Sequence, residues 1–199
     1  MTIRVVDEGS NNDVQIHPTV EKSGDALITL KGSDTYVRID ENCTFSGAMI
    51  TLGDSCILEM GPNCSLAALE VLASANGSIF VGAQTNFTWH TRLYIHEPSR
   101  ISIGSNCLIA SDTLFMTSDM HSILDRTTRV RLNPAQDIFV DDNVWIAYQA
   151  KILKGAHIGK GSIIGLGSIV TTKIPPHTLA AGQPAKVIKE DVAWDFNLR

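Results

Sequence analysis

Six branched aliphatic residues stand six positions apart without interruption at Val140, Ile146, Ile152, Ile158, Ile164 and Val170. Neither the 3.6-residue period of an α-helix nor the two-residue alternation of a half-buried strand produces that rhythm. A prism with three flat faces per coil does, because the chain turns a corner every six residues and each face sends one large aliphatic inward. The same register sets Val144, Ala150, Ala156, Ser162, Ser168 and Ile174 four residues after each aliphatic, a nearly all-small set suited to the corners. A single coil of this kind cannot bury its apolar face, so the coils must stack into a parallel β-solenoid.

A looser version of the repeat runs upstream through VRIDENC, ILEMGPNC, IFVGAQT, ISIGSNC and IFVDDNV, which begin at Val37, Ile57, Ile79, Ile101 and Ile138. The aligned aliphatics Ile39, Met60, Val81 and Ile103 advance by 21, 21 and 22 residues, slightly more than three hexads, so the extra residues should bulge at corners. From Ile103 to Val140 the step is 37, which predicts an insertion at about residues 115–136. Loops that leave a rigid scaffold usually carry function. The whole of residues 1–199 reads as one domain, with an N-terminal strand or cap over 1–34, the β-helix over 35–188 and a tail over 189–199 containing a short helix from about 190 to 198.

Hydrophobic residues make up 44% of the chain and aromatics only 6%, a balance that fits a narrow prism filled by Ile, Val and Leu. The formal net charge of -5, with no cluster of Lys and Arg along the chain, argues against a nucleic-acid surface. The N-terminus lacks the pattern of a secretory signal and no apolar run approaches membrane-spanning length, so the expectation is a cytoplasmic protein without a membrane span. Cys43, Cys56, Cys64 and Cys107 all fall on small corner positions and read as core residues. With no CxxC pair, no metal site is expected.

The segment from Val140 onward, VDDNVWIAYQAKILKGAHIGKGSIIGLGSIVTTKIPPHTLAAGQPAKVI, closely resembles the left-handed β-helix hexapeptide-repeat acyltransferases. Its VWI block, GLGSIV block, Pro175-Pro176 pair and closing AGQPAKVI carry the likeness. The segment FMTSDMHSILD, beginning at Phe115, resembles the catalytic loop of the branch that O-acetylates sugars of bacterial surface and capsular polysaccharides, including sialic acid. The resemblance implies a left-handed coil, an acetyl-CoA donor and a homotrimer with each site built between neighbouring prisms. It also implies His121 as the base that takes the proton of an attacking sugar hydroxyl, chemistry for which imidazole is suited near neutral pH. Asp119 or Asp125 could hold the other ring nitrogen, or either could simply close a turn.

Trp145 lies one residue past the corner residue Val144 and should point out of the prism, where it must meet another subunit or a ligand. In the family this tryptophan borders the acyl-donor site, where its N–H could orient the acceptor or stabilise developing negative charge. The pattern further places the pantetheine arm along Ala147 and Gly165, with Ala147 standing where VWIG is usual, and the pyrophosphate and adenosine end near Thr171, Lys186 and Lys189.

The insertion continues as DRTTRVRL, so Arg126, Arg129 and Arg131 follow His121 closely. Guanidinium groups grip carboxylates, which suggests an anionic carbohydrate acceptor, with Trp89, Tyr94 and His96 as sugar-facing rings from the preceding coil. Alternatively, the arginines pair with Asp137, Asp141 and Asp142 at the loop base. Three other readings remain open: an N-acetyltransferase of a nucleotide-linked amino sugar, a non-catalytic β-helix that binds or scaffolds, and a γ-class carbonic anhydrase with a metal on three histidines.

Overall fold

A computed structural model describes residues 3–20 and 25–197. Among the described residues there are 24 strands and no helix, and the strands form three eight-stranded sheets. The chain visits the faces in turn, making a parallel solenoid of about seven turns. The first face opens with Ile3–Asp7, the second with Asp13–Ile16 and the third with Thr44–Ser46. Each strand pairs with its equivalent one coil away, so the backbone bonds run along the prism axis. Asp40 N–H, for example, donates to Met60 O at 2.9 Å.

The register agrees with the sequence pattern. Ile39 pairs with Met60, Met60 with Val81, Val81 with Ile103, Ile103 with Val140 and Val140 with Ile158. All six are buried, and burying an aliphatic of this size stabilises by about 1.5–3 kcal/mol. The small set Val144, Ala150, Ala156, Ser162 and Ser168 is fully buried at the corners. Ile174 departs from it: the last coil is short, and Ile174 instead pairs with Ile158 as the inward aliphatic of its strand.

Corners require a residue in the left-handed region just before the small one. Asn42, Asn63, Asn106 and Asn143 supply it at φ of 58°, 61°, 57° and 58°, a conformation asparagine tolerates better than most side chains. The following residues Cys43, Cys64 and Cys107 donate Sγ–H to the carbonyls of Gly61, Gly82 and Asp141, each at 3.2 Å. Thr35 and Thr85 make the same bond to Gly53 at 2.6 Å and Gly104 at 2.7 Å. The thiols are thus small donors that satisfy corner carbonyls, and burial pushes Cys107 up to about 11. All four cysteines are free and buried.

Both ends differ from expectation in detail. Ile3–Asp7 pairs with Ala26–Leu30 and Asp13–Ile16 with Tyr36–Ile39, so two faces are already built within residues expected to form a cap. At the other end no helix forms over residues 190–197, and the last of the span expected to be helical lies outside the described residues. Instead Ala185–Lys189 folds back antiparallel onto Leu179–Gly182 and occupies the terminal edge of the third sheet. Pairing that edge removes a row of unsatisfied backbone groups, which an isolated helical turn would not do.

Candidate active site at the inserted loop and the third face

The insertion leaves the prism after Leu114–Met116 on the first face and returns at Ile138–Val140 on the second. It starts slightly later than the spacing suggests, because Phe115 is fully buried in the core. The loop therefore projects from the edge between the first and second faces. One isolated bridge, Leu124 with Arg131, is its only β pairing among the described residues, flanked by Leu132 N–H to Ile123 O and Asp125 N–H to Val130 O at 2.8 Å each, and side chains join this short turn to the prism.

Two clamps do so. From the coil before, Glu97 takes a bidentate pair from Arg131, with Nη1 to Oε2 at 2.5 Å and Nη2 to Oε1 at 2.7 Å, and also accepts the Ser118 hydroxyl. The Arg131 guanidinium and the Ser118 hydroxyl hold the Glu97 carboxyl at about 2, well below its ordinary range. From the coil after, Lys154 Nζ reaches Asp119 Oδ2 at 2.5 Å, and Lys154 together with Asn133 lowers the Asp119 carboxyl. Asn133, 8% exposed, joins the clamps by donating to Asp119 Oδ2 at 2.7 Å and to His121 O at 2.9 Å. His121 itself is exposed. Its ring makes no hydrogen bond within the described residues, and the carboxylates of Asp119 and Asp125 are bonded elsewhere. Asp125 is a turn former: Oδ1 accepts Thr127 N–H at 2.9 Å and Thr128 N–H at 2.6 Å.

The three arginines separate. Arg131 is committed to Glu97, not to the aspartates at the loop base. Those are engaged elsewhere: Asp137 with Arg100 N–H at 2.8 Å, Asp141 with His157 at 3.0 Å and Asp142 with Ser105 N–H at 2.8 Å. Arg126 and Arg129 are exposed and in no ion pair among the described residues. Thr171 follows Ile169–Val170 and lies on the same edge of the prism, in a later coil. Tyr94 lies on the first face with its hydroxyl donated to Glu70 at 2.8 Å, its ring 5.9 Å from that of His96. Trp89, 48% exposed, sits on the edge between the third and first faces, 5.3 Å from the His90 ring. Trp89 is therefore away from the arginines, whereas Tyr94 pairs with Met116 at the root of the loop and His96 directly precedes Glu97, the partner of Arg131.

The other group lies on the third face. Trp145 points outward between Leu108 and Ile163 of the adjacent coils. It meets a ring of its own chain, Trp194, at 6.3 Å, which in turn lies 4.8 Å from Phe196. Trp194 is anchored by Nε1–H to Asn143 O at 2.6 Å. Sequence reasoning missed this tail contact, and also Glu97, Asn133 and Lys154. Only the aromatic pair in WDF, in a chain short of aromatics, could have hinted at it. Beside Trp145, Ala147 and Gly165 sit on neighbouring coils, with Ala147 N–H to Ile164 O at 2.9 Å and Gly165 N–H to Ala180 O at 2.8 Å. A Cβ added to Gly165 would come within 2.8 Å of Ala181 Cβ. The strip formed by Ala147, Gly165 and Ala181 is therefore low and tightly stacked, and Lys186 and Lys189 stand exposed on the closing strand beyond it.

In a three-faced prism, the edge between the first and second faces lies opposite the third face. His121 and Trp145 are consequently on opposite sides of one chain. Among the described residues no group of three or more His, Cys, Asp or Glu side chains is gathered to hold a metal ion, and no helix is long and apolar enough to cross a membrane.

A polysialic acid O-acetyltransferase of Neisseria meningitidis is 30% identical over 190 residues, a match covering 94% of this chain and 87% of that protein. The chain belongs to the polysialic acid O-acetyltransferase family. A second family member, from Escherichia coli O1:K1, is 36% identical over 125 residues, or 63% of this chain, and the match spans 40% of that relative's length. The crystal structure of the polySia specific acetyltransferase NeuO is similar over 98% of this chain and 89% of its own, with a TM-score of 0.94 and 28% identity. No protein-family model matches the chain. The polysialic acid O-acetyltransferase family is one of acyltransferases, and the inserted loop and the third face are where its chemistry is to be sought.

Proposed function

We propose that the protein is an acetyl-CoA-dependent O-acetyltransferase that acetylates a sugar hydroxyl of an anionic bacterial surface polysaccharide, with a sialic acid polymer as the leading candidate. The observation that carries this reading is His121: an imidazole whose ring makes no hydrogen bond among the described residues, exposed on a loop clamped from both sides. A hydroxyl attacking a thioester must give up its proton, and an exposed imidazole is equipped to take it. The names of the two relatives support the acceptor, and exposed Arg126 and Arg129 suit its carboxylates.

The third face fits the donor. Its strip of Ala147, Gly165 and Ala181 admits the close approach of an extended pantetheine arm, and Lys186 and Lys189 offer cations to the phosphates, with Thr171 of an adjoining chain at the same junction. When bound, the donor supplies an activated acyl thioester. Trp145, on the rim of the strip, orients the acceptor beside it.

Because His121 and Trp145 lie on opposite sides of the prism, a complete site requires a neighbouring chain, and a homotrimer supplies three equivalent sites. Transfer is direct, since the four thiols are buried corner donors and none is set up as a nucleophile. Four unpaired cysteines also suit a reducing cytoplasm, where acetyl-CoA is found. Turnover of acetyl-CoA with polysialic acid tests the reading. His121→Ala should lower turnover about 100-fold or more and leave coenzyme A affinity, measured calorimetrically, unchanged. Near-normal turnover of that variant, or a trapped acetyl-enzyme, would sink the mechanism.

A further inference from the structure

We infer that Asn133 is the positioning residue that sets His121 in place, an assignment that rests on His121 being the base. Backbone bonding across the loop begins only at Ile123, whose carbonyl accepts Leu132 N–H at 2.8 Å, and among the described residues Ser118 to Ser122 has no strand partner. Asn133 substitutes for one. Its Nδ2 donates to Asp119 Oδ2 at 2.7 Å and to His121 O at 2.9 Å, and its Oδ1 accepts Ile123 N–H at 2.6 Å. The remaining end of the histidine is tied by His121 N–H to Asp119 O at 2.7 Å. One buried amide thus touches the stretch before, at and after His121, while the ring itself makes no hydrogen bond among the described residues.

The geometry is selective for asparagine. Aspartate keeps the acceptor for Ile123 but loses both donors and sets a second carboxylate against Asp119. Alanine loses all three of these side-chain bonds. Asn133 is in turn held from the prism, since Lys154 Nζ contacts both Asp119 Oδ2 at 2.5 Å and Asn133 O at 3.3 Å. A displacement of the base by about 1 Å is enough to cost roughly a hundredfold in rate, so a clamp of this kind acts on turnover more than on binding.

The test is steady-state kinetics with acetyl-CoA and polysialic acid on His121→Ala, Asn133→Ala and the double variant. Asn133→Ala should lower kcat about 10- to 100-fold with both KM values within about threefold of the parent. In the His121→Ala background the same change should have no further effect, because Asn133 acts only through the histidine. Should Asn133→Ala fail to fold, the isosteric Asn133→Asp takes its place with the same expectation. An unchanged kcat, or an equal further loss in the His121→Ala background, overturns the assignment. If His121→Ala alone retains turnover, the general-base reading has failed first, and the Asn133 assignment falls with it.

Discussion

Arg126, Arg129 and Arg131 look equivalent in the sequence and are not. Arg131 lies in a bidentate pair with Glu97 and donates also to the Asn133 carbonyl at 3.1 Å, a geometry that serves the loop. Its spacing from Asp137, Asp141 and Asp142 favoured those partners on paper, yet all three carboxylates are engaged elsewhere, Asp137 and Asp142 by backbone N–H groups and Asp141 by His157. The expected outcome is a split. Arg126→Gln or Arg129→Gln should raise the KM for polysialic acid and lower kcat/KM about tenfold, with the acetyl-CoA KM unchanged and the parent's acceptor KM rising with added salt. Arg131→Gln should instead lower kcat by loosening the loop. Kinetics in which all three variants behave alike would remove the distinction. The role of Asp125 was half legible: the DRTT run marks a turn, and a turn is what Asp125 makes.

The inserted loop has only a short antiparallel turn of its own, and the Glu97 and Lys154 clamps hold that turn against the prism. The folded Glu97 carboxyl titrates at about 2, below the ordinary value of 4.5. Its contribution is therefore complete above about pH 4.5 and is lost as pH falls through about 2. Hydrogen exchange over residues 117–137 should rise within that window while the strands stay protected. At neutral pH, Glu97→Gln should expose the loop to trypsin after Arg126 and Arg129, and unchanged resistance would show that Glu97 is not a clamp. On the third face, Gly165→Ala forces a Cβ to within 2.8 Å of Ala181 Cβ. Overpacking of this kind costs about 1–3 kcal/mol, so thermal unfolding should shift down and acetyl-CoA binding should weaken. A variant equally stable and equally tight would show that the strip has slack. The spacing revealed the insertion, since a 37-residue step breaks the coil length, but it could not reveal the clamps. Glu97 and Lys154 come from the coils before and after the loop and follow no periodic rule.

Across the whole molecule, the decisive relation is that His121 and Trp145 occupy opposite sides of one prism. Sedimentation equilibrium should therefore show a trimer. Mixing His121→Ala and Trp145→Ala chains, each inactive, and letting subunits exchange should restore activity. Random reassembly of equal amounts makes about a quarter of the sites intact, each combining His121 from one chain with Trp145 from another. A fully active monomer, or no recovery in demonstrably mixed trimers, would place the site within a single chain. The contact of Trp145 with Trp194, itself packed on Phe196, adds that the chain's own tail, as well as a neighbour or a ligand, covers part of that face.

The stack of coils was legible from the chain alone because its cause is local. One aliphatic per face and a small residue behind an Asn or Gly at each corner determine the turn, and the turn determines the register from Ile39 to Ile158. That same regularity located the loop, and the corner positions of the four cysteines foretold the burial that the folded chain gives them. The folded molecule was needed for everything that crosses between coils or leaves the repeat: the pairing of Arg131 with Glu97, the buried amide of Asn133 behind His121, the hairpin in place of a terminal helix, and Trp194 against Trp145. These partners lie between about ten and fifty residues apart, and what brings them together is the stacking of coils and the path of a loop and tail that the six-residue rule does not govern.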